Sequence, residues 1–248
     1  MKGCPVEPIT IERKKLFQQV AAHLESQILE GRLKPGDLLP PERDLQSRFG
    51  VGRPAIREAL ITLQRSGLVE ISNGARAKVA MPTAQGVVSG MGSAVRQMLS
   101  SEQGQRHFQG VRFFFETALA RNAAKHATPA QLRRLKAALE ANAKARGDRD
   151  AFIRTDIAFH FVLAEITDNP IFAALHDAMS GWLKNQRVAT LDAPGQEATA
   201  YEAHVAIHDA IAAHDPDRAE AAMANHLRQL EDMFWRLRAD ASDAPAAR

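Results

Sequence analysis

The sequence predicts a mainly α protein in two parts, an N-terminal winged helix-turn-helix (helices with a small β-hairpin) followed by an all-α helical bundle. Three observations predict it. Apolar residues recur at helical spacing through most of the chain, strand signals are confined to one stretch before residue 80, and charge and histidine divide unevenly about that point.

The 248 residues carry 32 Lys and Arg against 29 Asp and Glu, a net charge of +3. By parts, residues 1–80 hold 13 basic and 9 acidic side chains and residues 81–248 hold 19 and 20, so a basic region precedes a nearly neutral one. Of the nine histidines only His23 lies in the first part. At 45% hydrophobic and 25% charged, the composition is that of a folded globular protein, long enough for two cores. A single cysteine, Cys4, excludes an internal disulfide and favours a reducing compartment. No apolar run approaches the roughly 18 residues of a membrane helix, and the first ten residues lack a signal peptide's apolar stretch, so a cytoplasmic protein is expected.

Leu16, Val20, Leu24 and Ile28 share a helical face that ends at Gly31. After a turn at Lys34-Pro35-Gly36-Asp37, a short helix is expected from Pro41 to Phe49, broken by Gly50-Val51-Gly52. The next helix carries Ile56, Leu60 and Leu63 on one face and stops at Ser66-Gly67. Leu68 to Ile71 and Ala77 to Val79, separated by Ser72-Asn73-Gly74, predict a hairpin. Beyond it, helices are expected at about 84–100, 105–125, 129–146, 149–167, 170–190, 196–213 and 216–238. Thr128-Pro129-Ala130-Gln131 is a capping box, and Asn169-Pro170 and Asp215-Pro216 mark two more starts.

Arg43, Arg48, Arg53, Arg57, Arg65, Arg76 and Lys78 fall on the two short helices and the hairpin. Arg53 and Arg57 are one turn apart and opposite the apolar stripe, which suits a recognition helix that aims guanidinium groups at base edges and phosphates. Any one of these arginines alone reads as a solvated surface residue; the set, joined to a turn and a hairpin, points to DNA.

The segment Pro35-Gly36-Asp37-x-Leu39-Pro40-x-Glu42-Arg43-Asp44-Leu45, followed by Val51-Gly52-Arg53-x-x-Ile56-Arg57-Glu58-Ala59-Leu60-x-x-Leu63-x-x-x-Gly67-Leu68-Val69, resembles the DNA-binding domain of the GntR family of bacterial transcription regulators. The resemblance implies that Arg43, Arg53 and Arg57 contact operator DNA and that the wing tip, Asn73 and Gly74, enters the minor groove. Pro41 stands where the family usually has Ser, and Gly52-Arg53-Pro54-Ala55 replaces a hydroxyl-rich stretch. The operator sequence therefore does not transfer.

In the second part, Asp156 and His160 are i, i+4 on a face shared with Phe159 and Leu163. His204 lies with Ile207 and Ile211, and His226 with Met223 and Leu230. Each histidine taken singly reads as a hydrogen-bonded core residue. Together, three imidazoles and a carboxylate from three helices make an N/O donor set for Zn²⁺, Ni²⁺ or Mn²⁺. The flanking patterns resemble the helical effector domain, FCD, of the FadR subgroup of the same family. That resemblance implies a divalent metal, zinc foremost, on Asp156, His160, His204 and His226, holding the carboxylate of a small organic acid. It also assigns Arg112 and Asn169 to the effector. Arg112 reads as readily as an intrahelical pair with Glu116, and Asn169 as a helix cap.

His208, one turn from His204, is not assigned as a ligand, and His107, His126, His176 and His214 are read as surface, cap or packing residues. A closer likeness, carried by Arg13-Lys14-Lys15-Leu16, Phe152-Ile153-Arg154-x-Asp156 and Leu163-Ala164-Glu165-Ile166-x-x-Asn169-Pro170-Ile171-Phe172, is to sialic-acid-responsive members of the family and implies N-acetylneuraminate as effector.

The expected organisation is a tail at 1–11, a winged helix at 12–80, a linker at 81–84, an effector and dimerisation domain at 85–238 and a second tail at 239–248. An enzyme is not expected. Gly90-Met91-Gly92 lacks the βαβ setting of a dinucleotide loop, and no phosphate-binding loop, zinc-protease motif or nucleophile elbow is present. The alternative, a metal hydrolase on the Asp/His cluster, needs a general base, for which Glu165 is poorly aimed. The reading is a homodimeric transcription regulator, a repressor, binding double-stranded operator DNA and no membrane.

Overall fold

The computed structural model describes residues 15–72, 75–81, 83–191 and 193–243. The chain divides into two compact units, Met1–Gly90 and Met91–Arg248.

The first unit consists of α1 (Leu16–Leu29), α2 (Glu42–Phe49), α3 (Arg53–Arg65), β1 (Val69–Glu70), β2 (Lys78–Val79) and α4 (Ala84–Ser89). Its core is the expected apolar stripes folded together: Val20 and Leu24 of α1, Leu45 of α2, and Ile56, Leu60 and Leu63 of α3, closed by Leu39, Val69 and Val79. Pro41 is the cap before α2 rather than its first residue. The helix ends at Gly50, whose φ of 63° is left-handed and costs a residue without Cβ little. Pro54 sits in the first turn of α3, where its missing N–H has no helical partner to lose.

The hairpin is shorter than the sequence predicts. Val69 pairs with Val79 and Glu70 with Lys78, which leaves residues 71–77 between the strands; Asn73 and Gly74 lie outside the described residues. A third edge supports it, because the Gly36 N–H donates to Val79 O at 2.9 Å and the Leu39 N–H to Ala77 O at 2.8 Å. Arg76, grouped above with the DNA-facing cations, is engaged here instead: Nε and Nη2 donate to the Leu39 carbonyl at 2.9 and 2.7 Å.

The second unit is entirely helical among its described residues: α5 (Gly92–Met98), α6 (Glu102–His126), α7 (Pro129–Lys144), α8 (Arg149–Glu165), α9 (Pro170–Trp182), α10 (Lys184–Leu191), α11 (Gln196–Ala212) and α12 (Pro216–Asp243). Two expected helices are broken. The one at 84–100 is α4 and α5, interrupted at Gly90-Met91, where Gly86, Gly90 and Gly92 weaken helical propensity together. The one at 170–190 is α9 and α10, interrupted at Leu183. That break lets Met179 and Ser180 on one side and Arg187, Thr190 and Leu191 on the other all face inward.

The predicted caps are in place. The Gln131 N–H donates to Thr128 Oγ1 at 3.3 Å and the Thr128 N–H to Gln131 Oε1 at 2.9 Å. The Arg218 N–H donates to Asp215 Oδ1 at 3.0 Å. Ala120, Ala123 and Ala124 are fully buried, so α6 lies against its neighbours with little side chain between, and Leu135, Phe159, Leu163, Ile207, Ile211 and Met223 fill the centre. No helix of the described residues is long and apolar enough to cross a membrane.

The turn into α6 tolerates no side chain at Gly104. A Cβ there would lie 1.9 Å from the carbonyl oxygen of Met98, whereas one at Gly181 would meet open space. Gly104→Ala should therefore cost about 1–3 kcal/mol of stability. Gly181→Ala should add about 0.5 kcal/mol by restricting the unfolded chain. Chemical denaturation of the two variants checks the pair; shifts of the same sign would contradict the packing described.

Candidate metal centre and nucleic-acid interface

Asp156 and His160 on α8, His204 on α11 and His226 on α12 meet inside the second unit. Each offers one ligand atom, and these atoms lie within 4.8 Å of one another. All four side chains are buried. The spacing that predicts them is local, a single turn on α8 and one inward face on each of two other helices.

The orientation of the rings follows from what surrounds them. His204 Nδ1 lies 3.0 Å from Asn142 Oδ1, and the Asn142 amide donates to Thr155 Oγ1 at 3.0 Å, so the Asn142 oxygen is the acceptor and His204 Nδ1 carries the proton. His160 Nδ1 lies against the carboxylate of Glu116, which only accepts when ionised. Both rings therefore turn Nε2 inward, and those two atoms are 3.2 Å apart. His204 Nε2 is also 3.4 Å from Asp156 Oδ1. His226 Nε2 is buried without a hydrogen-bond partner.

Burial pushes His204 down to about 3, against the opposing pull of Asp156, and pushes His226 well below the usual imidazole range. With His204 and His226 lowered in this way, their inward faces present lone pairs, a repulsion that a shared cation relieves. In a tetrahedral zinc site, ligand atoms about 2.0–2.1 Å from the ion stand about 3.3 Å from one another. The His160–His204 and His204–Asp156 separations, 3.2 and 3.4 Å, match that spacing, and the donor set could hold a divalent metal.

Charge inside the unit is balanced in pairs. Burial raises the Asp156 carboxyl, but Arg187 and the neighbouring histidines outweigh it and hold the group below its ordinary value. Arg187 Nε is 3.0 Å from Asp156 Oδ2. Burial likewise raises Glu116, and Arg112 and His160 hold it well below the carboxylate range. The Arg112 Nε–H donates to Glu116 Oε1 at 2.6 Å, the i, i+4 pair that the spacing offers. Neither arginine is used up: Arg112 Nη2 and Arg187 Nη1 are buried without a partner. Both line a cavity of about 30 Å³ between α6, α10 and α12, with Gln109, Gln186, Thr190 and Glu231. Such a volume holds one or two waters.

Asn169 is placed differently. It is exposed, and its Oδ1 accepts the Ile171 N–H at 3.0 Å as the cap of α9, so the assignment to an effector has no support in the structure. His208 lies outside the cluster, 3.0 Å from Asp209 Oδ1. Glu165, the sequence candidate for a hydrolytic base, pairs with Arg134 at 2.5 Å. Four residues of the site were not assigned to it by the sequence: Glu116, Asn142, His176 and Arg187. Three of them carry a readable signal, a polar residue continuing an apolar stripe. Asn142 follows Leu135 and Leu139, Arg187 lies between Leu183 and Leu191, and His176 precedes Met179 and Ser180. His176 is buried with both ring nitrogens unpartnered, and burial lowers it to about 3.

In the first unit, Arg53 and Arg57 lie on the exposed side of α3 while Ile56, Leu60 and Leu63 are buried on the other. Arg43 on α2 is exposed as well. Both α3 arginines reach Glu42: Arg53 Nε donates to Oε2 at 3.0 Å and Arg57 Nε lies 3.3 Å from each oxygen. These contacts, Arg53 first, lower the Glu42 carboxyl.

Comparison with known proteins decides the family. Residues 16–79 match the model of the bacterial regulatory proteins of the gntR family, and residues 110–229 match the FCD domain. The HTH-type transcriptional repressor NanR of Cronobacter sakazakii is 45% identical over 222 residues, covering 89% of this chain and 85% of that protein. The chain belongs to the GntR family. The repressor NanR of Escherichia coli K12 is similar at 44% identity over 222 residues, 89% of this chain and 84% of its own. Among solved structures, Streptococcus agalactiae GntR superposes with a TM-score of 0.59 at 24% identity, covering 87% of this chain and 99% of that one. E. coli McbR/YncC superposes at 0.50 and 18%, covering 90% and 99%. These two share the fold. This GntR protein is thus a DNA-binding transcription regulator with a winged helix-turn-helix and an FCD domain, and not an enzyme; the hydrolase alternative has no support.

The lowered histidines of this regulator set a pH dependence. His176 and His204 bind protons more readily when unfolded, so unfolding takes up protons and stability rises with pH. Their contribution is complete above about pH 6.5 and is lost toward about 3, by up to about 1.4 kcal/mol per pH unit for each. Urea midpoints of chelator-treated protein should fall steadily between about pH 7 and about pH 5. A midpoint that is flat across that range would contradict buried neutral histidines.

Proposed function

We infer that this regulator is a repressor whose hold on its operator is released by a small carboxylate, with N-acetylneuraminate the first candidate, bound beside a divalent metal in the FCD domain. The single observation that carries the reading is the buried set of three imidazoles and one carboxylate at His160, His204, His226 and Asp156, next to two guanidinium groups with free terminal nitrogens. Zinc suits the donors best, with nickel or manganese as alternatives. A metal there supplies a Lewis-acidic position for an effector carboxylate. The protein's own part is to orient it: Asn142 and Glu116 fix the His204 and His160 rings, and Arg112 and Arg187 offer N–H groups to an acid. Arg112 is therefore the proposed effector residue that the sequence named, and Arg187 joins it.

The cavity of about 30 Å³ is far smaller than a sugar acid. An effector must therefore part α6, α10 and α12 to enter, and that movement is the step by which binding is coupled to the operator. Turning a mostly bound operator into a mostly free one takes several kcal/mol of differential affinity between the two states. Arg43, Arg53 and Arg57, with Asn73 and Gly74 at the wing, are the proposed DNA contacts.

A homodimer fits both the surface and the task. Val111 and Phe114 on α6 and Ile171 and Phe172 on α9 are exposed, Phe114 at 79%, and the Phe115 and Phe172 rings, 5.8 Å apart, join the two helices. Apolar side chains grouped in this way mark an association surface, and a symmetric dimer presents two winged helices to paired half-sites. Phe114→Glu should convert the dimer to a monomer by light scattering while leaving helicity intact; a wild-type monomer would contradict the reading.

The decisive experiment is an operator-binding titration against a panel of acidic metabolites including N-acetylneuraminate, with and without chelator, alongside metal analysis of two variants. His204→Ala should lose bound metal and the effector response, whereas His208→Ala should retain both. An effector response that survives complete removal of metal would refute the metal-held effector.

A further inference from the structure

Arg53 and Arg57 are tied to one carboxylate in a way their sequence spacing does not require. Each directs its Nε at Glu42, the first residue of α2, and among the described residues no group engages the terminal nitrogens Nη1 and Nη2 of either. A guanidinium can meet a base edge or a phosphate side-on, through Nε and one terminal nitrogen, or end-on, through both terminal nitrogens. With Nε committed, end-on contact remains. Sharing one carboxylate also holds the two groups side by side, so their separation is set by Glu42 rather than by two flexible stems.

The carboxylate is less exposed than the arginines it engages. Its side chain is 34% exposed against 62% for Arg53 and 57% for Arg57. Its own backbone is anchored, since Leu45, one turn along α2, is buried in the core.

We propose that Glu42 is the positioning residue of the DNA interface, orienting Arg53 and Arg57 for end-on contact and thereby setting discrimination between DNA sequences. The proposal rests on the reading of the two arginines as DNA contacts. Charge and geometry act in opposite directions here, which makes them separable. A carboxylate near the phosphates weakens binding to every duplex, so removing it favours DNA of any sequence. Removing the clamp frees both guanidinium groups and costs only the preference for the correct sequence.

The test uses the full-length protein, a duplex enriched from a randomised pool by the wild type, and a scrambled duplex of equal length. Glu42→Ala should bind the scrambled duplex at least as tightly as wild type, while the ratio of enriched to scrambled affinity falls about tenfold. Glu42→Gln keeps an acceptor for one Nε and should fall less. In an Arg53→Ala, Arg57→Ala background, Glu42→Ala should change the ratio no further. A ratio within about twofold of wild type in Glu42→Ala, or equal tightening on both duplexes, would overturn the proposal and leave Glu42 a simple electrostatic brake. The arginine double variant separates the two levels. If it keeps the wild-type ratio, the reading of the arginines fails; if it loses the ratio and Glu42→Ala does not, only the role of Glu42 fails.

Discussion

Two carboxylates, Asp156 and Glu116, are sealed in the middle of a helical bundle, and the geometry of the FCD domain answers to keeping them ionised there. An unpaired buried charge costs several kcal/mol. Arg187 answers Asp156 and Arg112 answers Glu116, and both carboxyls stay below their ordinary range despite full burial. These four residues stand on α6, α8 and α10, and His204 and His226, gathered around Asp156, extend the cluster to α11 and α12. The apolar partners around them, Phe159, Leu163, Ile207, Ile211 and Met223, supply burial without direction. The ion pairs are directional, and they state which turn of one helix faces which turn of another.

The same balance prepares the chemistry. A carboxylate that remains charged at Asp156 and lowered imidazoles at His204 and His226 are groups that could serve a cation as donors. Glu116 and Asn142 stand outside the cluster but decide which nitrogen of His160 and His204 looks inward. The network is complete on one side and open on the other, where Arg112 and Arg187 keep unpartnered nitrogens beside a cavity that holds little more than a water. An anion entering there would meet preformed positive charge.

The winged helix solves the opposite problem. Its cations stay outside, its core is purely apolar, and the Glu42 carboxylate engages Arg53 and Arg57 at the surface. Arg76 shows how a basic residue in the right neighbourhood can have a structural part: its guanidinium donates to the Leu39 carbonyl at the hairpin edge and ties the wing to the segment before α2.

The helix starts at Thr128, Asn169 and Asp215 were legible because a cap is a contact between residues two or three apart, and the sequence alone determines it. The four donors were legible for a related reason, since Asp156 and His160 need one helical turn and His204 and His226 each interrupt an apolar face. Asn169 carries both readings in the sequence, because the same side chain that caps a helix also resembles a ligand contact; the structure shows it exposed and capping α9. The break at Leu183 was not legible, because apolar periodicity runs through it and the change of direction is repaid only by what Arg187 then meets. What the sequence determined by itself was the order of elements, the family and the inward placing of Asp156, His160, His204 and His226, all of which reside in local patterns. Tertiary structure alone decided that Glu116, Asn142 and Arg187 complete the site and that Glu42 holds Arg53 and Arg57. Apart from the Arg112–Glu116 pair, which one helical turn offers, those are meetings between distant segments that local spacing does not encode.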